Sequence, residues 1–340
     1  MTIQTQPLSI NEIQKAADII KAGGLVAFPT ETVYGLGANA LDEAAVKKIY
    51  AAKGRPSDNP LILHVLDIDG LSSCVEAVPQ TALKLIAKFC PGPITMILNK
   101  SKNVPYATTG NRDTVAVRIP AHEVARRLIE LAGVPIAAPS ANTSGRLSPT
   151  TAAHVLADMH GRIDAVLCGD ACSVGIESTI IDLSSGLPIL LRPGTITKTQ
   201  IESVLGVKIN QSAATLADSV APGMKYKHYA PDAPMYIIRG EPHKVAEYIN
   251  RRISESGLPA ERVGILTSEE SAGFYTCGHV INVGSIKNLE DVARGIYAAL
   301  HRFNEAGVEI IFSESFRHTE VGLSIMNRLE KAAGNNIIDI

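Results

Sequence analysis

Residues 233–340 alternate short apolar runs with amphipathic segments of helical period, and this order constrains the fold more than any other feature of the chain. The runs MYIIRG, RVGILT, VINVG, VEIIFSE and NIIDI are separated by segments such as KVAEYINRRISESG and LEDVARGIYAALHRFNEAG. Strands that alternate with helices usually pair in parallel, so we predict a smaller C-terminal domain with a Rossmann-like parallel sheet of about five strands. Before it, residues 208–232 show little periodicity and are predicted to be a linker.

The chain before this linker also mixes helices and strands, but in an irregular order. Ser9 and Glu12 have the spacing of a capping box and predict a helix over 10–22. Asp42 is a candidate cap for the next helix. Apolar runs that predict strands include GLVAF, PLILHVL, ITMIL, TVAVRIP and STIIDL. The irregular order indicates an α/β domain with a twisted, mixed sheet.

Charge, cysteine content and missing motifs limit the classes of function. A net charge of −2 gives no bulk attraction to nucleic acid or to an anionic membrane. No apolar run approaches the length that spans a bilayer, and the N-terminus lacks the pattern of a signal peptide. The five cysteines have no zinc-site spacing and are predicted to be buried, reduced thiols of a cytoplasmic protein. The sequence markers of P-loop NTPases, zincins and α/β-hydrolases do not occur.

The segment FPTETVYGLGANA, residues 28–40, carries more polar chemistry than a plain connection needs. Gly35, Gly37 and Ala40 fit the loose dinucleotide pattern G-x-G-x-x-A, but that pattern needs its first glycine directly after the strand, and PTETVY intervenes. Alternatively, Gly35 and Gly37 permit positive φ in a bend. Neither interpretation explains the four hydrogen-bonding side chains after the strand, which suit a small polar ligand. They are Thr30, Glu31, Thr32 and Tyr34.

Four cations stand in or beside apolar segments and are candidates to neutralise a polyphosphate. They are Lys53, Arg55, Arg118 and Arg192. A buried arginine is costly unless it is paired, so Arg118 in TVAVRIP meets either a protein carboxylate or an anionic ligand. Lys53 can instead complement a helix dipole, and His64 in an apolar strand can be a hydrogen-bonded core residue. The loop APSANTSGRLSPT, residues 138–150, either cradles phosphate with hydroxyl and N–H groups or is simply solvated.

Seven motifs in this order resemble those of the YrdC-type threonylcarbamoyl-AMP synthases in their longer, two-domain form. They are PTETVYGLG, KGRPSDNPL, PGPIT, VAVRIP, APSANTSG, STIIDL and LRPG. The segments APGMKYKHYAP and SIMNRLEKAAG resemble the bridge and the C-terminal domain of the long form. The resemblance implies a YrdC-like catalytic domain with a concave basic cavity over 1–207, a linker over the active site at 208–232, and a C-terminal domain over 233–340.

The resemblance also implies a reaction. L-threonine, bicarbonate and ATP would give L-threonylcarbamoyl-adenylate and pyrophosphate by nucleotidyl transfer. A separate tRNA threonylcarbamoyltransferase would then use the adenylate, so neither a membrane nor stable nucleic-acid binding is expected. We expect Mg²⁺ to bind mainly through the ATP phosphates, and we assign neither protein ligands for the metal nor a general base.

Matched residue by residue, the resemblance assigns two sets of side chains in this sequence. The threonine set is Thr32, His64, Arg118, Ala138 through its backbone, and Ser178. The ATP set is Lys53, Arg55, Asn59, Thr114, Ser140, Ser148, Arg192 and, from the linker, Tyr226. Lys53 and Arg55 are also the expected catalytic cations.

Two alternatives stay open on the sequence alone. An RNA-binding or ribosome-assembly module would use the basic cavity for duplex RNA, but its expected feature is a broad Lys/Arg surface, and here the cations are clustered in loops. A related carbamoyltransferase of hydrogenase maturation would act on carbamoyl phosphate, but the zinc-finger and acylphosphatase-like modules of such proteins are missing from this sequence.

Overall fold

A computed structural model of the chain describes residues 4–211 and 228–340. These residues divide into two compact units. The first unit contains the described residues up to 211, apart from two short segments. The segments Gly145–Leu147 and Val174–Ile176 group with residues 228–340 in the second unit. Much of the predicted linker lies outside the described residues, so the predicted domain limits stay a prediction.

The first unit consists of short helices and strands. Its helices are α1 (Ile13–Lys21), α2 (Glu43–Lys53), α3 (Ile68–Cys74), α4 (Gln80–Phe89), α5 (Tyr106–Thr109), α6 (Glu123–Ala132), α7 (Ala152–Met159) and α8 (Lys198–Leu205). Its strands are β1 (Gln6–Ser9), β2 (Val26–Phe28), β3 (Gly35–Asn39), β4 (Ile62–His64), β5 (Ile94–Asn99), β6 (Thr114–Arg118), β7 (Ile136–Ala137), β8 (Ala165–Cys168), β9 (Thr179–Asp182), β10 (Ile189–Arg192) and β11 (Asn210–Gln211). The predicted mixture of helices and strands is confirmed.

These strands form one sheet of 11 strands in the order β1-β8-β2-β3-β7-β4-β6-β5-β9-β10-β11. Pairing is parallel for β4/β6 and β5/β9 and antiparallel for β5/β6 and β9/β10, so the predicted mixed sheet is confirmed. These directions bring the ends of β4, β6 and β10 and the starts of β5 and β9 to one edge of the sheet. Several candidate site residues lie at this edge.

The two faces of the central strands differ in their contacts. Leu63 of β4 points into the main hydrophobic core. Its neighbours in sequence point to the opposite face, because side chains alternate along a strand. That face carries a separate apolar cluster formed by Ile62, Ile97, Ala116, Ile180 and Leu191. The register places His64 beside Arg118 and Ile62 beside Ala116, so His64 and Arg118 continue this second face toward the edge of the sheet.

Two helix starts follow the predicted capping chemistry. The carboxylate of Glu12 accepts a hydrogen bond from the backbone N–H of Ser9, as in a capping box, and the Ser9 hydroxyl also donates to this carboxylate. The first turn after Ser9 is a 3₁₀ turn over Ile10–Glu12, and the α-helix itself begins at Ile13. Asp42 caps α2 by accepting from the N–H groups of Ala44 and Ala45.

The glycines of segment 28–40 do not lie in a bend, so the interpretation that they permit positive φ is wrong. Gly35 and Gly37 belong to strand β3, and neither is among the residues with positive φ. A Cβ on Gly37 would come within 2.8 Å of Ile136 Cγ2 and of the Phe28 ring. The glycine is therefore required by close packing between neighbouring strands.

The second unit contains the predicted parallel sheet. Its strands are β12 (Met235–Arg239), β13 (Val263–Thr267), β14 (His279–Asn282), β15 (Ile310–Glu314) and β16 (Ile337–Asp339). Its helices are α9 (Pro242–Ser256), α10 (Leu289–Ala306) and α11 (Val321–Ala332). The strands form a 5-stranded sheet in the order β14-β13-β15-β12-β16, with every pair parallel, which confirms the prediction. In the part of the chain that is described, no helix has both the length and the apolar character needed to cross a membrane.

Candidate active site

Arg118, the last residue of β6, lies in a buried network with two residues of segment 28–40. Its side chain is 4% exposed. Nη1 donates to Thr32 Oγ1 at 2.8 Å, and Nη2 lies 2.7 Å from Glu31 Oε1. Glu31 and Thr32 are buried as well. Of the two partners predicted for Arg118, a protein carboxylate or an anionic ligand, the structure shows a protein carboxylate, Glu31.

A chain of hydroxyl groups fixes the position of Thr32. Thr30 Oγ1 donates to the carbonyl of Val33 at 2.7 Å and lies 2.9 Å from Thr32 Oγ1. Since the Thr30 proton is used on Val33, the Thr32 hydroxyl donates to Thr30, which leaves Thr32 Oγ1 to accept from Arg118. The turn after β2 thus orients one edge of the Arg118 guanidinium.

His64, the last residue of β4, lies beside Arg118 in the sheet register and is 3% exposed. Burial and, to a lesser degree, the positive charge of Arg118 lower the pKa of His64 to about 3, against an opposing effect of Glu31. Nδ1 lies 3.3 Å from the carbonyl oxygen of Ile62, and the ring meets Phe28 edge-on. His64 is therefore a neutral hydrogen-bonding group next to a cation.

Ser178 and Arg192 meet at the same edge of the sheet, at the start of β9 and the end of β10. Arg192 Nε donates to the Ser178 carbonyl at 3.0 Å, and Nη2 donates to Ser178 Oγ at 3.2 Å. Ser178 Oγ also lies 2.7 Å from Thr95 Oγ1 of β5. Since β5 lies between β6 and β9 in the sheet, this group is two strands away from Arg118.

Lys53, the last residue of α2, is buried against the loop that follows β7. Its Nζ donates to the backbone carbonyls of Ser140 and Asn142. The Lys53 carbonyl in turn accepts from Ser144 N at 2.8 Å. Burial, together with the nearby charge of Arg55, holds the pKa of Lys53 well below its ordinary value. Lys53 therefore does more than complement a helix dipole, because it clamps the loop that contains Ser140.

Arg55 folds back onto its own loop. Nη2 donates to Asn59 Oδ1 at 2.6 Å and to the Pro60 carbonyl at 3.0 Å, and Nε donates to the Asn59 carbonyl at 3.2 Å. Gly54, the C-cap of α2, has a left-handed conformation with φ of 61° and turns the chain between Lys53 and Arg55. The cluster predicted from KGRPSDNPL is thus an ordered loop.

Ser148 contacts a second buried carboxylate. Its Oγ donates to Glu177 Oε1 at 2.6 Å, and Glu177 is 7% exposed. Glu177 immediately precedes Ser178, so this contact connects the loop 138–150 to the start of β9.

Backbone hydrogen bonds join segment 28–40 to the loop 138–150. Gly35 and Ser140 form an antiparallel bridge. Tyr34 N donates to the Pro149 carbonyl at 2.9 Å, and Ala141 N donates to the Tyr34 carbonyl at 2.8 Å. The predicted threonine residue Thr32 and the predicted ATP residue Ser140 are therefore held on two segments that run side by side.

The structure brings most of the predicted site residues into contacting groups. These groups are Thr32 with Arg118 and His64, Ser178 with Arg192, Lys53 with Ser140, and Arg55 with Asn59. Ala138 N donates to the Ile62 carbonyl, which anchors the start of the loop 138–150 beside β4. Thr114 lies at the opposite end of β6, about 13 Å along the strand from Arg118. Tyr226 lies outside the described residues.

Two buried carboxylates, Glu31 and Glu177, contact predicted site residues, although the residue assignment from the motifs omitted them. Each stands inside a quoted motif or next to one, and each contacts a residue that was assigned. The available signal was the cost of burying Arg118, which demands a negative partner nearby. That signal does not say which of the acidic residues in the chain supplies the charge.

The described residues offer no protein cage for a metal ion. Within residues 4–211 and 228–340, no three His, Cys, Asp or Glu side chains come together as a metal site requires. Glu31 and Glu177 contact Arg118 and Ser148 respectively. A magnesium ion that arrives on phosphate oxygens fits this donor set better than a resident metal does, and the expectation for Mg²⁺ stays a prediction.

The chemistry available here is positioning and charge neutralisation. Buried cations, hydroxyls and backbone groups form separate contacting groups around the central strands, whereas the contacts of the described residues reveal no nucleophile activated by an adjacent base. Such a set suits a reaction in which two substrates react with one another while the protein holds their charged groups.

Comparison with known proteins gave matches along almost the whole chain. The model of the Sua5, YciO and YrdC family, described as telomere recombination, matches residues 18–194. A second model, described as the C-terminal domain of threonylcarbamoyl-AMP synthase, matches residues 196–334. The threonylcarbamoyl-AMP synthase of Pyrococcus abyssi is 46% identical over 97% of this chain and 96% of its own length. The threonylcarbamoyl-AMP synthase of Bacillus subtilis is 48% identical over 98% of this chain and 97% of its own length.

A solved structure agrees with this similarity. The crystal structure of P. abyssi Sua5 complexed with L-threonine matches with a TM-score of 0.90 at 44% identity, covering 99% of each chain. The similarity therefore includes the fold of both units as well as the sequence.

Proposed function

The chain belongs to the family of two-domain threonylcarbamoyl-AMP synthases, and from this premise we propose that it converts L-threonine, bicarbonate and ATP into L-threonylcarbamoyl-adenylate and pyrophosphate. The adenylate supplies the threonylcarbamoyl group for tRNA modification. The structural observation that supports this proposal most strongly is the buried Arg118 at a strand end, with Thr32 and His64 beside it. A solved relative with L-threonine bound supports the same substrate.

The chemistry has two bond-forming steps. The threonine amine attacks bicarbonate carbon, and loss of water gives an N-carboxylate. That carboxylate oxygen attacks the α-phosphorus of ATP, and pyrophosphate leaves. Bicarbonate, the N-carboxylate, ATP and pyrophosphate are all anions, so fixed cations lower the barriers of both steps by neutralising negative charge. This reaction is a nucleotidyl transfer, the enzyme class that we propose.

On the threonine side, Arg118 binds the substrate carboxylate with the guanidinium edge that Thr32 does not occupy. Neutral His64 offers a ring nitrogen to a polar group of the substrate without adding a second positive charge. Ser178, held by Arg192 and Thr95, supplies a hydroxyl at the same edge of the sheet. Fixed donors of this kind orient a small substrate at little entropic cost during the reaction.

On the ATP side, Lys53 and Arg55 are the proposed catalytic cations, with Asn59, Ser140, Ser148, Thr114, Arg192 and Tyr226 as further ATP contacts. Phosphate charge near Lys53 favours its protonated form, which burial disfavours in the protein alone. Mg²⁺ carried on the phosphates would add charge neutralisation. We also propose that the protein is cytoplasmic and that a downstream tRNA threonylcarbamoyltransferase uses its product. Stable RNA binding is not required for this role.

Pyrophosphate release tests the proposal and separates it from the alternatives. The purified chain with ATP, bicarbonate and L-threonine should release pyrophosphate only when threonine is present. Arg118→Ala should lower kcat/KM for threonine at least about 100-fold, as expected when a buried, charged anchor is lost. Arg127→Ala is the matched control, because Arg127 is exposed on α6 and pairs only with Glu130 among the described residues, so it should keep normal activity.

Three results would contradict the proposal. Equal activity of the Arg118 and Arg127 variants would contradict the assignment of Arg118 to the active site. Turnover of carbamoyl phosphate in place of threonine and bicarbonate would favour the carbamoyltransferase alternative. Tight, salt-sensitive binding of duplex RNA without turnover would favour the RNA-binding alternative.

A further inference from the structure

Glu31 and Arg118 form a buried ion pair that leaves hydrogen-bonding groups of both partners unused. Both carboxylate oxygens of Glu31 are buried, and no described residue makes a hydrogen bond to either, although Oε1 lies 2.7 Å from Arg118 Nη2. On Arg118, Nε and Nη2 are also buried and have no hydrogen-bond acceptor among the described residues. The only hydrogen bond of this guanidinium to a described residue runs from Nη1 to Thr32.

Unused groups of this kind are costly inside a protein. A buried ion pair usually recovers its desolvation cost only when further hydrogen bonds satisfy the remaining protons and lone pairs. A pair that served folding alone would be expected to have such partners. The pair here lies at the end of β6, beside the residues assigned to threonine binding. Arg118 Nε and Glu31 Oε2 are the buried atoms of the pair that have no hydrogen-bond partner among the described residues and stand outside its closest contact, the 2.7 Å between Nη2 and Oε1.

We propose that Glu31 and Arg118 act together as a receptor for the zwitterionic end of an α-amino acid, with Glu31 Oε2 accepting from the α-ammonium group and Arg118 Nε donating to the α-carboxylate. This inference rests on the proposed function, which supplies threonine as the substrate. It adds Glu31 to the residues that bind threonine. It also states what the ion pair selects, which is a ligand that carries an ammonium group and a carboxylate group.

The electrostatics of the surroundings support this assignment. Burial raises the pKa of Glu31, but the charge and contact of Arg118 outweigh it, and the backbone N–H groups of Ala121 and of Glu31 itself also lower the pKa without forming hydrogen bonds of good geometry. Glu31 is therefore ionised at neutral pH. His64 beside the pair is neutral, so it offers no further charge. A pair with no net charge matches a zwitterion with no net charge.

This arrangement predicts a preference that a purely structural ion pair would not produce. An analogue that has the carboxylate but no amine brings a negative charge near Glu31 and has no ammonium group to compensate it. The uncompensated repulsion should weaken its binding. Replacing Glu31 by glutamine removes both the repulsion of the carboxylate and the attraction of the ammonium group. The affinity for the analogue should therefore rise relative to the affinity for threonine.

The test measures two dissociation constants by titration calorimetry, for L-threonine and for (R)-3-hydroxybutyrate, which is L-threonine without its α-amino group. In the unmodified protein, threonine should bind at least about 10-fold more tightly, as expected for one hydrogen bond between charged groups. In Glu31→Gln that preference should shrink by at least about 10-fold. Glu31→Asp keeps the charge and should restore most of the preference. Glu130→Gln, on the exposed face of α6, is the control that should leave it unchanged.

Each result bears on the inference. Equal binding of the two ligands by the unmodified protein would overturn it, and this measurement does not depend on whether any variant folds. A loss of affinity in Glu31→Gln by the same factor for both ligands would also overturn it, because Glu31 would then only support Arg118. If threonine-dependent pyrophosphate release occurs while either of these results is obtained, the proposed function stands and this inference alone fails.

Discussion

Replacing Thr32 by valine should destabilise the protein and weaken threonine binding, because it removes the only described hydrogen-bond acceptor of Arg118 without changing the size of the side chain. Thr32 is 1% exposed, and its Oγ1 lies 2.8 Å from Arg118 Nη1. The variant leaves a buried, charged N–H without an acceptor. It also removes the donor to Thr30 Oγ1.

The magnitude follows from these contacts. Loss of a hydrogen bond to a charged group costs about 1.5–3 kcal/mol. For a unit of this size, each kcal/mol lowers the melting temperature by about 2–4 °C, so Thr32→Val should melt about 3–12 °C lower. Thr32→Ser keeps the hydroxyl and loses one methyl group, so its free energy of unfolding should fall by only about 1 kcal/mol.

Thermal unfolding followed by circular dichroism measures this difference, and the KM for threonine measures the effect on the site. The valine variant should raise KM at least about 10-fold relative to the serine variant, because the guanidinium is no longer held in one orientation. If valine and serine variants have the same melting temperature and the same KM, the hydroxyl chain does not position Arg118 and this reasoning is refuted.

Two further predictions concern close packing and a buried histidine. Gly37→Ala should lower the free energy of unfolding by about 1–3 kcal/mol, since its Cβ would lie 2.8 Å from Ile136 Cγ2 and from the Phe28 ring, whereas Gly273→Ala has open space and should be neutral in the same denaturation experiment. His64 has a folded-state pKa of about 3 against 6.5 unfolded, so the unfolded chain binds more protons between these values, and His64 should make stability fall by about 1.4 kcal/mol for each pH unit below about 6. Denaturation of His64→Gln between about pH 4 and 7 should show a smaller slope, and an unchanged slope would contradict a neutral, buried imidazole.

The fold was predictable from the sequence where its patterns have one simple cause. The parallel sheet of the second unit follows from regular alternation, and the Asp42 cap follows from a short side chain placed before a helical run. Strand β3 was not predicted, because glycine has low strand propensity and Gly35 and Gly37 suggested a bend. Close packing against Ile136 and the Phe28 ring explains Gly37, and the sequence pattern does not reveal these contacts.

The cationic residues of the candidate site were predictable from the sequence, whereas the acidic residues that contact the site were not assigned. A buried arginine in a strand needs a partner of opposite charge. Of the two partners predicted for Arg118, the structure shows the protein carboxylate, Glu31, beside Nη2. Nε has no hydrogen-bond acceptor among the described residues, and the anionic ligand stays a prediction. Glu177 gave no comparable signal. Its contact with Ser148 spans 29 residues and depends on how two loops meet in the folded chain.

The most direct test of the central claim follows the carbon atom of bicarbonate. The purified chain is incubated with ¹³C-bicarbonate, L-threonine and ATP, and the nucleotide products are separated and weighed by mass spectrometry. We predict a threonine-containing adenylate that carries one ¹³C atom and forms in equal amount with pyrophosphate. Pyrophosphate release that does not depend on threonine, or an adenylate without the label, would contradict the account.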